Sequence, residues 1–206
     1  MGINPITKTM DYKPPQIKCI QVNLQHYKAA TANLMKIIDE DKTDTICIQE
    51  PYTFRSKVAG ILKKLKTYTS QKGRCRAAIV ATNNQIDTML IQQLSDAYTV
   101  VVEILKGSPK IILVSMYFER ENPIEHDLSK IEAVLRHAKG KGVLIANDSN
   151  ARSTLWYNTL TNPRRRILEE FRTSNQLHIM NEDCNNTTFR KHMGTSNIDL
   201  TIISPN

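Results

Sequence analysis

After its first sixteen residues the chain alternates short apolar runs with longer stretches whose apolar residues recur every three or four positions. The apolar runs predict β-strands at 17–24, 45–49, 76–81, 89–94, 98–105, 110–117, 143–146, 177–180, 187–189 and 198–203. The longer stretches predict helices at 28–40, 57–66, 127–137 and 162–174. Residues 1–16, which contain three prolines, are expected to form a loose N-terminal leader before a single domain of residues 17–206.

The order of these elements indicates the fold class. Residues 106–109 read Lys-Gly-Ser-Pro between two apolar runs, which predicts a β-hairpin rather than a helical crossover. Several neighbouring strands of this kind disfavour a doubly wound parallel sheet. We therefore expect an α/β fold in which two mixed sheets pack face to face and the helices cover their outer faces.

Composition and charge narrow the classes of protein. Hydrophobic residues make up 40% of the 206 positions and charged residues 23%, which is typical of a globular domain and excludes a disordered chain. A net charge of +8 predicts a polyanionic partner, such as nucleic acid or an acidic membrane surface. No apolar run reaches the roughly 18 residues of a membrane span, and the polar start is unlike a signal peptide. Four widely spaced cysteines predict buried free thiols rather than a zinc site or disulfides.

Certain polar residues lie at or near the ends of the apolar strands, where side chains project from a rigid scaffold. They are Asn23, Glu50, Tyr117, Asp148, Asn150 and Asp199. Glu50 ends the run Ile-Cys-Ile-Gln-Glu and fits a Mg²⁺ site, because this hard cation often takes only one or two protein carboxylates. The alternative interpretation of Glu50 is an ordinary solvated acid at a strand end.

The other candidates also allow two interpretations. Asp148 and Asn150 are two positions apart, so in extended backbone both face one phosphate, where the acid would activate a water and the amide would stabilise developing charge. The alternative is an Asx-rich turn that bonds its own backbone. Tyr117 is either a phosphate donor or a packed phenol, and Asn23 either lines a site or caps the next turn. Asp199, inside an apolar strand, requires a His or a cation as partner.

These segments, taken together, resemble a known family. In chain order they are Val-Asn at 22–23, Gln-Glu-Pro-Tyr at 49–52, Met-Tyr at 116–117, Asn-Asp-Ser-Asn-Ala at 147–151 and Gly-Thr-Ser-Asn-Ile-Asp-Leu at 194–200. The set resembles the apurinic/apyrimidinic-endonuclease-like domain of non-LTR retrotransposons, and above all the site-selective branch of these elements. That domain belongs to the endonuclease/exonuclease/phosphatase superfamily. The resemblance covers nearly the whole chain and implies a deoxyribonuclease I-like, four-layer α/β sandwich.

The resemblance implies Mg²⁺-dependent hydrolysis of one DNA strand, with Mn²⁺ as a substitute ion, leaving a 3′-hydroxyl that primes reverse transcription. It implies that Glu50 binds the metal and that Asn23 contacts the scissile phosphate or a metal-bound water. Tyr117 would donate to the phosphate. Asp148 would position or activate the attacking water, with Asn150 beside it on the phosphate.

Two departures from the family pattern change these expectations. Gln25 stands where many relatives have an acid, which moves the expected metal binding toward Glu50. The resemblance also implies that Asp199 orients a histidine of a later Ser-Asp-His signature. The sequence reaches Asn206 without that signature, and none of its five histidines lies in such a context. We therefore expect the domain to lack its last strand or strands.

Basic residues form two clusters, at 57–76 and 164–172. Such clusters predict phosphate contacts and a steep salt dependence, with a solvated basic face as the alternative. Arg74 and Arg76 of the first cluster are candidate DNA-binding residues. Arg152 directly follows the Asn-Asp-Ser-Asn-Ala segment and is expected to bind a phosphate. The last motif supplies three further candidate DNA contacts, Thr195, Ser196 and Asn197.

The leading hypothesis is thus an endonuclease that nicks double-stranded DNA in the nucleus and forms part of a longer polyprotein with a reverse transcriptase, with no membrane partner. One alternative is a phosphoesterase of the same fold acting on RNA or small phosphoesters. Another is a degenerate nucleic-acid-binding module without catalysis, which the missing signature favours. The retained acids at strand ends argue against that module, because a binder of phosphates gains nothing from an acidic centre.

Overall fold

The computed structural model describes residues 16–70, 74–105, 110–182, 189–191 and 194–205. In these ranges the strands are β1 (Cys19–Asn23), β2 (Thr45–Gln49), β3 (Thr53–Phe54), β4 (Lys57–Val58), β5 (Lys66–Tyr68), β6 (Ala77–Ala81), β7 (Thr88–Leu90), β8 (Thr99–Ile104), β9 (Ile111–Tyr117), β10 (Gly142–Asp148), β11 (His178–Ile179), β12 (Phe189–Lys191), β13 (Gly194–Ser196) and β14 (Asp199–Ile203). The α-helices of the same ranges are α1 (Lys28–Asp41), α2 (Ile124–Ala138) and α3 (Arg164–Ser174).

Most strands belong to two mixed sheets. The first has the order β1-β2-β6-β5, in which β1 and β2 are parallel and the other pairs antiparallel. The second has the order β11-β14-β10-β9-β8-β7, in which β9 and β10 are parallel and the other pairs antiparallel. The short strands β3 and β4 form a hairpin, and β12 pairs with β13. The predicted hairpin of β8 and β9 is confirmed, although its turn at 106–109 lies outside the described residues.

Alternating side chains along the strands divide the core into three apolar layers. On β2, Cys47 packs between the two sheets, whereas Ile46 and Ile48 pack under α1. On β9, Leu113 faces the first sheet and Ile112 belongs to the cluster under α2 and α3. Both faces of these strands are therefore covered, which explains their continuous apolar runs. The layers follow the order helix, sheet, sheet, helices, and this confirms the predicted α/β sandwich.

The helix predicted over 57–66 is wrong. Residues 57–58 form β4, whose hairpin turn places Arg55 and Ser56 at positive φ. The amide of Ala59 donates to the carbonyl of Tyr52 at 2.9 Å, so this segment continues the hairpin pairing instead of starting a helical turn. Three of the apolar side chains that suggested a helix, Val58, Ile61 and Leu65, still pack in the cluster under α1, whereas Leu62 is exposed. Gly60 follows with a φ of +83°, where its Cβ-free backbone lies against Thr31.

The cysteines and the helices are the last features for which the sequence supplied an expectation. Cys19, Cys47 and Cys75 are free thiols, and the latter two are buried, as predicted, whereas Cys184 lies outside the described residues. Among the helices of the described ranges, none combines the length and the apolar character that a membrane crossing requires.

Candidate active site

Strand ends from both sheets meet at one cleft of about 340 Å³. Asn23, Tyr117 and Asp148 are the last residues of β1, β9 and β10. Because the two strands of each parallel pair end side by side, these side chains lie at the same end of their sheets. Glu50 follows β2, and Asn150 lies two residues past β10. The fold thus brings five of the six candidate site residues into one cleft.

Asp148 is held in one orientation. Asn23 Nδ2 donates to its Oδ2 at 2.8 Å, and the backbone N–H of Asn150 donates to its Oδ1 at 3.2 Å. Burial raises the pKa of Asp148 to about 6; these hydrogen bonds oppose the rise and the negative charge of Glu50 adds to it. The carboxylate is thus mostly ionised at neutral pH and remains able to accept a proton.

The carboxylate of Glu50 is paired with a cation. Its Oε1 lies 2.7 Å from Arg76 Nη1 and 3.4 Å from His26 Nε2, and Arg76 Nη1 is also 2.9 Å from that histidine nitrogen. Arg76 Nη2 reaches Glu119 Oε2 at 3.5 Å. The backbone of Glu50 has a φ of +46° and is fixed by hydrogen bonds to both neighbours, since its N–H donates to the Arg76 carbonyl and its carbonyl accepts from the His26 N–H.

Tyr117 lies between these charges. The guanidinium of Arg76 stands 5.1 Å from the centroid of the Tyr117 ring. Burial raises the pKa of Tyr117 to about 12; the nearby acids Glu50, Asp148 and Glu119 raise it further, while Arg76 opposes them. Tyr117 therefore keeps its proton at neutral pH and can only act there as a neutral hydroxyl.

Asn150 bridges the cleft to its surroundings. It has a φ of +49°, and its Oδ1 accepts from Arg120 Nε at 2.8 Å. Its Nδ2 donates one hydrogen bond to the Phe118 carbonyl at 2.8 Å, which leaves a second amide hydrogen for another acceptor.

Asp199 lies beside the cleft rather than in it. It is the register partner of Asp148 across β10 and β14, and it lines an adjoining cleft of about 340 Å³ with Asn23 and Asn181. Asn181 Nδ2 donates to its backbone carbonyl at 2.9 Å.

The candidate DNA-binding residues fall in different places. Arg74 lines an open groove of about 810 Å³, Arg152 lines a pocket of about 320 Å³ next to the cleft, and Arg76 belongs to the ion pairs of Glu50. Of the last three candidates, one is described only as part of strand β13, and the other two are buried: Thr195, Ser196 and Asn197.

Asn197 fixes a neighbouring loop. Its N–H and carbonyl exchange hydrogen bonds with the Asn158 side chain at 2.9 and 2.7 Å, and its Nδ2 donates to the Tyr157 carbonyl at 3.2 Å.

Three residues that line the cleft were not predicted from the sequence: His26, Glu119 and Arg120. The signal for Glu119 and Arg120 was their position directly after the strand that ends at Tyr117. His26 gave no local signal, because only the positive φ of Gln25 and His26 turns its ring back toward Glu50.

A four-layer sandwich with acids and amides at converging strand ends is the architecture of the endonuclease/exonuclease/phosphatase class. The endonuclease domain of TRAS1, a telomere-specific non-LTR retrotransposon, has a TM-score of 0.81 with this structure and 30% sequence identity, over 92% of this chain and 85% of that domain. The chain belongs to this family of non-LTR retrotransposon endonuclease domains.

Other comparisons agree with this family. Residues 111–206 match the family described as endonuclease-reverse transcriptase. The chain is 28% identical over 194 residues to the 115 kDa protein of type-1 retrotransposable element R1DM of Drosophila melanogaster, covering 90% of this chain and 19% of that protein. A Pol polyprotein of element R1 from Bradysia coprophila is 26% identical over 161 residues, covering 73% of this chain and 16% of the polyprotein. The chain thus spans less than a fifth of either relative.

A more distant solved structure shares the fold alone. The AP endonuclease LMAP of Leishmania major is 11% identical, with a TM-score of 0.67 over 91% of this chain and 79% of that one.

Proposed function

We propose that this domain is a Mg²⁺-dependent endonuclease that hydrolyses one strand of double-stranded DNA and leaves a 3′-hydroxyl from which reverse transcription is primed. It would act in the nucleus as part of a longer polypeptide with a reverse transcriptase. The observation that carries the proposal is the Asp148 carboxylate, which two hydrogen bonds hold in a cleft beside an acid and a phenol.

Asp148 is the proposed general base. A base is most effective when its pKa lies near the working pH, and burial raises the pKa of Asp148 to about 6. Since Asn23 and the Asn150 N–H hold its two oxygens, the remaining lone pairs have fixed directions, and one of them would accept a hydrogen bond from an attacking water. That water would lose its proton to Asp148 and attack phosphorus. The bond from phosphorus to the 3′-oxygen would then break, and that oxygen would take a proton from solvent to become the 3′-hydroxyl.

Tyr117 and Asn150 are the proposed phosphate donors. Tyr117 keeps its hydroxyl proton, since its pKa is about 12, and the free amide hydrogen of Asn150 lines the same cleft. Preorganised donors of this kind stabilise charge that develops on phosphate oxygens.

The residues present fit a Mg²⁺ ion that takes few protein ligands. Within the described ranges no three His, Cys, Asp or Glu side chains converge as a metal cluster, but Mg²⁺ often uses one or two carboxylates and completes its shell with water and phosphate. The Glu50 carboxylate would hold the ion in place of its present contact with Arg76. Mn²⁺ would substitute for Mg²⁺ at the same carboxylate. Bound there, the ion supplies positive charge to a phosphate oxygen.

Nicking of supercoiled plasmid tests the proposal, with Mg²⁺ and with EDTA. The assay uses the 206-residue chain and also a longer polypeptide of the same element that continues past Asn206. We expect metal-dependent nicking that Glu50→Gln abolishes while DNA binding persists. The endonuclease proposal is contradicted if neither polypeptide nicks supercoiled plasmid or a DNA duplex. It is also contradicted if the activity is equal in EDTA. A faster reaction with RNA of matched length would favour the RNA phosphoesterase alternative.

The Glu50–Arg76 ion pair favours a second candidate, a nucleic-acid-binding module without catalysis. An acid neutralised at 2.7 Å is a poor metal ligand unless the ion displaces the guanidinium. Arg76→Met separates the two functions: in an endonuclease it should tighten Mg²⁺ binding severalfold by titration calorimetry, because it removes the competing cation. Unchanged, undetectable Mg²⁺ binding in both wild type and Arg76→Met would favour the binding module.

A further inference from the structure

A second pocket, of about 320 Å³, opens beside the cleft. Its lining has three arginines and no carboxylate: Arg120, Asn150, Arg152, Asn162, Arg164 and Ile198. The cleft itself contains Glu50, Glu119, Glu121 and Asp148. The electrostatic character therefore reverses over a short distance, from a centre suited to a cation to a pocket suited to an anion.

Arg164 lines the pocket and also holds the loop beside it. Its Nη1 donates to the carbonyls of Glu119, Arg120 and Asn122 at 3.3, 3.4 and 2.9 Å, which fixes the loop carrying Arg120. Its Nε and Nη2 are buried and have no hydrogen-bond partner among the described residues. The buried carboxylate of Asp127 acts on Arg164 electrostatically, so Arg120 and Arg152 are the arginines whose charge the pocket leaves for a phosphate.

The pocket is continuous with the cleft. Arg120, Asn150 and Ile198 line both, and the Asn150 side chain holds Arg120 Nε at 2.8 Å. Asn162 closes the other side, since it donates to the Asn150 carbonyl at 2.9 Å and accepts from the Arg152 N–H at 3.0 Å. A DNA strand whose scissile phosphate lies at Asp148 would therefore carry the next phosphate into this pocket.

We propose that Arg120, Arg152 and Arg164 form a phosphate subsite for the phosphate adjacent to the scissile one on the cleaved strand. The inference rests on the proposed function and extends it. The subsite fixes the strand in register with Asp148. Arg164 acts partly as a positioning residue, because its Nη1 holds the loop of Arg120.

Neutral phosphate substitution tests the subsite directly. A duplex carrying one methylphosphonate is scanned, position by position, on both sides of the mapped nick, and binding is measured by fluorescence anisotropy in EDTA so that cleavage does not interfere. We expect wild type to lose about tenfold in affinity when one adjacent phosphate is neutral. Arg152→Gln and Arg120→Gln should show that loss already with normal DNA, and should be insensitive to the methylphosphonate at that position.

Arg136→Gln is the matched control. It removes the same charge from the last turn of α2, where the Arg136 side chain is 72% exposed. Arg136 lies roughly 18 Å along the helix axis from Ile124, the first residue of α2. Its affinity should match wild type, whereas each subsite variant should lower the slope of log affinity against log salt by about 1. Arg164→Gln is avoided as the main variant, since it would also release the loop at 119–122.

The outcomes separate this inference from the proposed function. The subsite proposal is overturned if Arg152→Gln and Arg120→Gln keep the full sensitivity to the methylphosphonate. It is also overturned if wild type shows no sensitivity at any position. If wild type binds DNA but never nicks it, the endonuclease proposal is overturned. The subsite proposal is still tested in that case, because the scan shows whether one position loses its sensitivity in the variants.

Discussion

Removing the charge of Asp148 should stabilise the folded protein at neutral pH, because the buried carboxylate is costly to ionise. The residue is 4% exposed, and burial raises its pKa from the ordinary 3.8 to about 6. The folded state therefore holds this proton more tightly than the unfolded chain does. In consequence the protein loses stability as pH rises from about 3 to about 7, by about 3 kcal/mol in all, and the loss persists above that range.

The perturbation is Asp148→Asn, which removes the titration. The new amide can still accept from the Asn150 N–H, but it turns a donor toward Asn23 Nδ2, at a cost of about 1 kcal/mol that does not vary with pH. The informative quantity is therefore the unfolding free energy of the variant minus that of wild type. This difference should rise by about 2.5 kcal/mol between pH 4 and pH 8.

Urea unfolding in EDTA measures the difference, followed by the fluorescence of Trp156, which is the only tryptophan and is buried. Glu170→Gln, on an exposed face of α3 with a side chain 64% exposed, is the control, and its difference should stay within about 0.5 kcal/mol across the range. At pH 7.5 the Asp148→Asn variant should nick plasmid about 10²- to 10⁴-fold more slowly than wild type.

Two results would refute this reasoning. A difference that is flat with pH, or that falls as pH rises, would mean that the fold does not hold Asp148 against ionisation. A variant that gains stability yet nicks at the wild-type rate would leave the pKa argument standing and remove Asp148 from the role of base.

Three further predictions follow from the same structure. Tyr117→Phe should lower the nicking rate about tenfold without moving the urea midpoint, and wild-type activity should show no Tyr117 ionisation up to pH 10, because the pKa of Tyr117 is about 12. Gly60→Ala should lose about 1–2 kcal/mol in urea unfolding, since its φ is +83° and a Cβ would stand 2.9 Å from Thr31 Cγ2, and an equally stable variant would contradict this. Asn158→Ala should cost about 2–3 kcal/mol in the same assay, because it removes two buried hydrogen bonds to Asn197; a loss below 1 kcal/mol would show that the loop does not depend on them.

The sequence predicted most of the longer strands, and the place of candidate side chains at their ends, because both depend on local pattern. The run ending at Tyr117 is apolar at every position except Ser115, and such a run forms a buried strand whichever strand pairs with it. A polar residue at its end must then lie at a sheet edge. Parallel pairing of β9 with β10 brings Tyr117 and Asp148 together, and this pairing is visible only in the structure.

Prediction failed where a long-range contact overrides local spacing. Residues 57–66 have helical spacing, but the hydrogen bond from Ala59 to Tyr52 and the positive φ of Gly60 commit the segment to a hairpin and turns. The ion pair of Glu50 with Arg76 also joins residues 26 positions apart through the antiparallel pairing of β2 with β6. No periodicity in one segment contains that information.

The same limit applies to charge, where a count of basic residues overstates the number of phosphate contacts. Several arginines from the two basic clusters have protein partners: Arg76 pairs with Glu50, Arg165 with Glu169 and Arg166 with Glu170. A cation already paired to an acid neutralises less phosphate charge and so releases fewer of the counterions condensed on DNA, which makes its contribution to salt-dependent binding small. Arg152, which was predicted to bind a phosphate, and Arg120, for which the sequence made no prediction, instead line a pocket without acids. The salt dependence of DNA binding should therefore reflect these few pocket residues more than the net charge of +8.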